Sequence, residues 1–422
     1  MGTNSNIRGL HQFILASQRK KDLLLGQRAP KADTSLTLSK AYNPHYDDIV
    51  LKVKQARDYF LLVGPPGTGK TSMALRFIIE EELASHNSSP TPTPSILLMA
   101  YTNRAVDEIR SMLEEAGLAN DERILVGTTS MMQARPFLLS GRHFSLAIVD
   151  EASQVLEPGL IGLLSSDQID RFVLIGDHKQ LPAVVQQNPE ETRVEDPLLQ
   201  AIGLSDCRQS FFQRLYNWEC AQGRSQFIGT LTHQGRMHPE VAEFAGQHFY
   251  GPWLTPVPLP HQQEKALNYD LPAQDKLDEI LKSRRMAFFD GNSSMVIDLA
   301  LRIRRFYGDK FNPQKTLGII VTYRKQIAAI REALPDVAID TVERYQGSQR
   351  DVIIYDFGIS RLYQLDFLTA STFVDDEGQV VDRKLNVALT RARRQMLMVG
   401  NTRILIHNAL LRQLIDNFST KL

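Results

Sequence analysis

The chain is short of cysteine and has no long apolar run, and each shortage removes a class of protein. Cys207 and Cys220 are the two thiols in 422 residues and form no C-x-x-C pair, so they cannot by themselves build a four-thiolate zinc or iron–sulfur site. They are expected to be small buried or half-buried residues. No segment approaches the roughly eighteen apolar residues of a membrane span, and Phe13–Ala16 is too short for a signal-peptide core. A soluble, cytoplasmic protein with no membrane partner is expected. Net charge is also missing: 48 basic residues balance 48 acidic ones, so overall charge neither points to a polyanion nor excludes one. Only locally is there an excess. Residues 1–40 carry seven cations (Arg8, Arg19, Lys20, Lys21, Arg28, Lys31, Lys40) against Asp22 and Asp33, a net of +5. That excess fits either a phosphate-contacting segment or a solvated basic helix.

What the chain does contain is GPPGTGKT, Gly64–Thr71, directly after the apolar run Tyr59–Val63. Strand, glycine-rich loop and helix are the context a phosphate-binding P-loop requires. Gly64, Gly67 and Gly69 let backbone N–H groups close around phosphate oxygens, and the helix expected from Lys70 to about Glu82 points its positive end at the anion. Pro65, Pro66, Thr68 and Ser72 complete the nucleotide loop. Lys70 supplies a point charge to the β and γ phosphates, and the Thr71 hydroxyl suits Mg²⁺. A second metal anchor is expected at the end of another buried strand. Phe144–Val149 followed by Asp150 and Glu151 provides it, with Asp150 on the metal and Glu151 activating the attacking water.

A hydrophobic content of 43% across 422 residues suits two cores. Residues 7–25 read as a helix, followed by a linker rich in Pro, Thr and Ser. Apolar strands then alternate with helices at 59–63, 96–101, 123–127, 144–149 and 172–176. From about residue 225 the alternation resumes, at 227–231, 286–289, 317–321, 337–342, 352–357 and 396–399. Such alternation implies parallel sheets with helices on both faces. Residues 86–95 read as a low-complexity loop and 251–263 as an extended surface crossing. The division expected is 1–40 (basic helix and linker, a stalk remnant), 41–225 (first α/β domain) and 226–422 (second). One P-loop between two such units places the nucleotide in their cleft.

Further blocks follow in order: AYTNRAVDEI (100–109), VDEASQ (149–154), GDHKQLP (176–182), LTHQGRMHP (231–239), TVERYQGSQRD (341–351) and LNVALTRARR (385–394). With the P-loop, the series resembles the superfamily 1 helicases of subgroup B. The branch it resembles is that of the nonsense-mediated-decay RNA helicase and the Okazaki-flap nuclease-helicase. The resemblance covers about residues 55–402 and implies two tandem RecA-like P-loop domains, an ATP hydrolase using ATP and Mg²⁺, and 5′-to-3′ movement on single-stranded or partly duplex DNA or RNA. It assigns Gln180 to the γ-phosphate and catalytic water, Arg236 and Arg391 as arginine fingers, and Arg393 as support for the nucleotide. It assigns Thr102, Asn103 and Thr128 to strand contacts and Thr341 and Gln346 to a coupling block on the strand. From the residues alone, Thr102 and Thr128 equally suit helix N-caps.

The sequence departs from the family at three points. No adenine-reading glutamine lies in Tyr42–Asp48, the usual aromatic is Gly235, and the usual glutamate after the QG pair is Gln349. Tyr42 or Tyr46 is then expected to stack on the base. Only about forty residues precede the first domain, so the chain is expected to be a minimal motor or the C-terminal motor of a longer protein, with a protein partner or N-terminal domains completing it. The alternative to a helicase is an ATP-gated single-strand clamp or remodelling ATPase that does not unwind.

Overall fold

The computed structural model describes residues 2–85, 95–252, 254–267, 269–375 and 378–420; the expected loop at 86–95 lies, but for Ser95, outside them. The chain forms two compact units. The first is Met1–His178 with Pro182–Thr232, and the second is Lys179–Leu181 with His233–Leu422.

The first unit is built on a six-stranded sheet: β1 (Tyr59–Val63), β2 (Ile96–Ala100), β3 (Ile124–Thr128), β4 (Phe144–Asp150), β5 (Ile169–Gly176) and β6 (Ile228–Thr230), in the order β3-β2-β4-β5-β1-β6. Every pairing is parallel. Strands β1 and β2 are buried at every position, the pattern a parallel sheet takes when helices cover both faces. Alternate residues feed two cores. Phe60, Leu62, Leu98 and Ile148 pack with helices Asp47–Gln55, Arg76–Ser85 and Asn103–Glu115. Tyr59, Leu61, Met99 and Val149 pack with Ile161–Leu164 and Phe211–Ala221.

The second unit repeats the plan with β9 (Met286–Asp290), β10 (Leu317–Val321), β11 (Ala338–Thr341), β12 (Arg350–Asp356) and β15 (Ala392–Gly400), again parallel, in the order β11-β10-β12-β15-β9. A short parallel pair, β7 (His233–Gln234) with β8 (Thr255–Pro256), and an antiparallel pair, β13 (Thr372–Val374) with β14 (Val380–Asp382), lie outside that sheet. Its faces are covered by Ser293–Tyr307 and Arg324–Ala333 on one side and by Pro239–Ala245, Arg383–Leu389 and Ala409–Phe418 on the other. Both units therefore have the RecA-like α/β plan. No helix among the described residues is long and apolar enough to cross a membrane.

The structure differs from the sequence expectation at four places. Ile228–Thr230, expected to open the second unit, pairs with β1, because Leu61–Val63 still offers an unpaired edge there. Residues 179–181, expected in the first domain, group with the second unit, where Leu181 joins the core. Cys207 and Cys220 are exposed rather than buried. The fourth difference is the basic N-terminal segment, which is not a separate part. Its single expected helix is two, Gly2–Leu15 and Gln18–Leu24, and Leu23 and Leu24 enter the first unit's core at 2% and 0% exposure.

Two of its cations face inward. Lys20 Nζ donates to the Ile169 carbonyl at 2.5 Å, and burial lowers its pKa. Arg28 grips Asp58 bidentately at 2.8 and 2.9 Å. Burial works to raise the Asp58 pKa, but the Arg28 guanidinium and the Lys31 N–H outweigh it and hold the carboxyl below its ordinary value. A depressed carboxylate stabilises the fold above its unfolded pKa and loses that contribution as pH falls through the folded one. Arg28→Ala leaves the Asp58 charge buried. The melting transition of the first unit is expected to fall by an amount corresponding to roughly 3 kcal/mol near neutral pH, and by less at an acid pH low enough to protonate Asp58. Calorimetry at the two pH values checks this; an unchanged transition at pH 7 contradicts it.

Candidate functional site

Register brings the C-terminal ends of the first sheet into one row: Val63 opposite Gly176, Ala100 opposite both Asp150 and Thr128. From that row hang the P-loop, the Asp150–Glu151 turn and the starts of two helices. Gly64 is required by a close approach, since a Cβ there would stand 2.1 Å from Lys70 Cγ. Gly69 takes φ +70°, and its Cβ would also meet the Tyr46 hydroxyl at 2.7 Å. Inside the loop, Pro65 and Pro66 are buried, and the Pro65 carbonyl accepts the Thr68 hydroxyl at 2.7 Å. Gly67 also lies at positive φ, while Ser72 is exposed on the next turn. The helix begins with a widened turn, Ala74 N–H bonding Gly69 O at 3.0 Å, and continues to Ser85, three residues beyond the expected end.

Four side chains meet at the loop. The Thr71 hydroxyl donates to Asp150 Oδ2 at 2.6 Å, and Lys70 Nζ stands 3.9 Å from Glu151 Oε1. Asp150 is 2% exposed. Burial, then the neighbouring Glu151 charge, pushes its pKa up to about 6, against the pull of the Thr71 hydroxyl and Lys70. Glu151 has φ +53°, alone among the described non-glycine residues in being positive. That strained turn aims its carboxylate back over the P-loop. Gln154, which the sequence reading passed over, donates to Glu151 Oε2 at 3.1 Å and fixes it. The available signal was its position three residues on, within the same turn.

The tyrosines expected to stack on a base are engaged elsewhere. Tyr46 is 8% exposed, bonds the Thr68 carbonyl at 3.0 Å and meets Phe77 edge-on. Tyr42 donates to Glu81 at 2.8 Å, with Phe77 5.3 Å away and Lys40 over its ring. Their aromatic faces serve the core and a cation.

Within the second unit, Gln180 and Arg391 are joined: Arg391 Nη2 donates to Gln180 Oε1 at 3.0 Å, with both residues buried. Arg391 Nε also donates to the Val387 carbonyl at 2.9 Å. Arg236 lies alongside, giving Nη1 to the Thr390 carbonyl at 3.2 Å and Nε to Gln349 at 2.8 Å. The proline-rich stretch expected to be a plain crossing supports it, since His261 and Gln262 are buried and Gln262 bonds the carbonyls of Gln234 and Met237, each at 2.9 Å. Arg393 is apart from these, paired with Asp351 at 3.1 Å. Asn386, which the sequence reading did not single out, is fully buried and ties the Lys179 carbonyl at 2.7 Å to the Tyr250 hydroxyl at 2.8 Å.

Thr102 and Thr128 are both N-caps, accepting from Ala105 N–H and Met131 N–H at 3.1 Å each. Thr102 and Asn103 are exposed, and Thr128 is half-buried. In the second unit Thr341 ends β11 and is 7% exposed, while Gln346 Nε2 is buried without a hydrogen-bond partner among the described residues.

An acid whose folded pKa lies above its unfolded one stabilises the fold below the unfolded value, and that contribution is lost as pH rises through the folded value, here about 6. At pH 7 the charged Asp150 is therefore a cost to the nucleotide-free fold. Asp150→Asn removes the charge, and the Thr71 hydroxyl can turn to accept from the new amide. The nucleotide-free Tm is expected to rise at pH 7 and to be nearly unchanged at pH 4; a fall at pH 7 contradicts the assignment.

Two family models, each described as an AAA domain, match residues 48–186 and 207–403. Among curated relatives, the DNA replication ATP-dependent helicase/nuclease JHS1 of Arabidopsis thaliana is 28% identical over 475 residues, covering 96% of this chain and 32% of its own. The DNA replication ATP-dependent helicase/nuclease DNA2 of Bos taurus is 25% identical, covering 99% and 43%. That of Saccharomyces cerevisiae is 23% identical, covering 90% and 28%. The chain thus spans less than half the length of these relatives. Among solved structures, the arterivirus nonstructural protein 10 helicase with DNA aligns at TM-score 0.44 and 15% identity, over 84% of this chain and 62% of that one. Two matched AAA domains spanning the P-loop and the arginine-bearing blocks, with relatives aligned over nearly the whole chain, place it among the superfamily 1 helicases, in the branch of the DNA replication helicase/nucleases.

Proposed function

We propose that the chain is an ATP-driven motor that moves 5′ to 3′ along single-stranded DNA and separates partly duplex strands. The observation that carries this reading is the meeting of Lys70 with Glu151, and of Thr71 with Asp150, at the C-terminal edge of the first sheet. DNA rather than RNA is supported by the relatives' names; polarity follows the branch.

The residues present fit Mg²⁺. The Thr71 hydroxyl and Asp150 carboxylate are hard oxygen donors 2.6 Å apart, and a buried carboxylate that resists ionisation gains from a cation beside it. When bound, Mg²⁺ neutralises charge on the phosphates. The chain's own groups do the rest. Loop N–H groups from Gly67 to Ser72 receive phosphate oxygens, and Lys70 sets its ammonium against the β and γ phosphates. Glu151, oriented by Gln154, takes the proton of the attacking water. Gln180 positions that water, Arg236 and Arg391 meet charge developing on the γ-phosphoryl, and Arg393 supports the nucleotide. Thr102, Asn103, Thr128, Thr341 and Gln346 take the strand, chiefly through phosphate and sugar.

Glu151→Gln is expected to bind ATP normally and hydrolyse it at least roughly a hundredfold more slowly, since only proton removal is lost. Retention of more than a tenth of wild-type turnover, measured with saturating single strand, would assign the base elsewhere. Strand displacement with hydrolysable and non-hydrolysable nucleotide separates the motor from a clamp, which would grip the strand without displacing its partner.

Base selectivity follows from Tyr42 and Tyr46. With both rings engaged internally and Gly235 in place of an aromatic, the residues named offer no side chain to read the adenine edge. GTP is expected to be hydrolysed with kcat/KM within about tenfold of ATP, a difference of about 1.4 kcal/mol or less. An ATP preference above a hundredfold would mean that backbone groups read the base.

A further inference from the structure

Beyond β12, the second unit exposes an ordered set of rings that the nucleotide chemistry does not use. The segment after Asp356 is anchored by Ile359 and Leu368, 4% and 2% exposed, and by Gln364 Oε1, which accepts the Ser360 and Arg361 N–H groups at 2.8 and 2.9 Å. Held in this way, it turns outward Leu362 at 56%, Tyr363 at 71% and Phe367 at 50% exposure. Phe367 stacks on Tyr323, centroids 5.2 Å apart and planes 19° from parallel. Tyr363 has no ring partner among the described residues. Isolated exposed apolar residues need no explanation, but rings fixed by buried anchors and flanked by cations do. Lys325 Nζ lies 5.4 Å from the Tyr323 ring and Lys384 Nζ 4.2 Å from that of Phe367. Arg324 and Arg361 are exposed beside them in sequence, as are the carboxylates Asp366 and Glu343, of which Glu343 pairs with Lys384 at 3.5 Å.

Position adds to chemistry. Val321 stands in register with Thr341 on one side and Asp356 on the other, so Tyr323 and the 359–368 segment leave the same sheet edge that ends at Thr341. Cations next to flat, exposed rings match a polymer that alternates phosphates with π-faces.

We propose that Tyr363, at the start of the helical turn that carries Phe367 of the stacked Phe367–Tyr323 pair, is a base-stacking platform for single-stranded nucleic acid, with Arg361 and Lys325 taking adjacent phosphates. It rests on the single-strand motor reading and adds to it a contact to the bases themselves. Stacking on one ring accounts for about tenfold in affinity.

The test is fluorescence anisotropy of the full chain with an oligothymidylate and with an abasic oligonucleotide of equal length. Wild type is expected to bind the abasic strand about tenfold more weakly. Tyr363→Ala should lose about tenfold on the thymidylate and nothing further on the abasic strand, because base and ring are one interaction. Tyr363→Phe should restore affinity. The logarithmic salt dependence should be unchanged in Tyr363→Ala and shallower by about one phosphate contact in Arg361→Ala. If Tyr363→Ala binds the thymidylate as wild type does, or loses the same factor on both strands, the platform is overturned and the patch falls to a protein partner. Absence of salt-dependent wild-type binding to either strand would instead overturn the motor reading, and the platform with it.

Discussion

The burial of one carboxylate, Asp150, is the constraint on which the nucleotide site depends. It ends a strand buried almost throughout, so its charge sits where water cannot reach it and must be met by the protein. The Thr71 hydroxyl and the Glu151 N–H meet it in part, and its raised pKa shows that they do not meet it fully. An unbalanced anion beside a loop of backbone donors is poor for folding and good for a metal-bound polyphosphate. The same compromise recurs at the next residue, where Glu151 holds a left-handed backbone that costs about 1–3 kcal/mol in order to turn its carboxylate over the P-loop. Stability is given up at two consecutive positions, and the fully buried β1 and β2, with β4 buried at all but one position, supply what is lost.

The second unit places neutral acceptors around two arginines. Arg391 is 2% exposed and donates to the Gln180 side chain, the Val387 carbonyl and the Thr390 hydroxyl. Arg236 likewise bonds a carbonyl and the amide of Gln349. Here the departure from the family acquires a physical meaning. A glutamate at 349 would form an ion pair with Arg236, whereas glutamine accepts its Nε–H without carrying a charge. Arg393, paired with Asp351, is balanced and suits support better than charge stabilisation.

The parts of the fold and site that could be read in the sequence are those that impose a local backbone requirement. The P-loop glycines and the acidic strand end leave a signature because each position admits few residue types, and the core strands because both faces are covered. Lys20 and Arg28 were opaque, since a cation that bonds a carbonyl or a buried aspartate is written the same way as one in solvent. Ile228–Thr230 was placed in the wrong unit because the strand pattern does not say which sheet edge is open. Tyr42 and Tyr46 differ from expectation for a related reason: a tyrosine near a nucleotide loop has a ring and a hydroxyl to place, and in both the ring lies against Phe77 and the hydroxyl bonds within the first unit. The Glu151–Gln154 bond and the turn that makes it are tertiary facts with only a spacing as their trace.

Thr102 shows that two alternatives left open by the sequence need not compete. Its Oγ1 accepts the Ala105 N–H and so caps the helix Asn103–Glu115. A hydroxyl has two lone pairs and one proton, so acceptance at the cap leaves the O–H free to donate. A phosphate oxygen arriving at this exposed helix start would meet that proton, the unbonded N–H groups of the first turn and the positive end of thirteen residues of aligned peptide dipoles. The cap would therefore prepare the strand contact proposed for Thr102. It fixes the hydroxyl's rotamer without any strand, so in such a contact the ordering cost would be met during folding and not charged to binding.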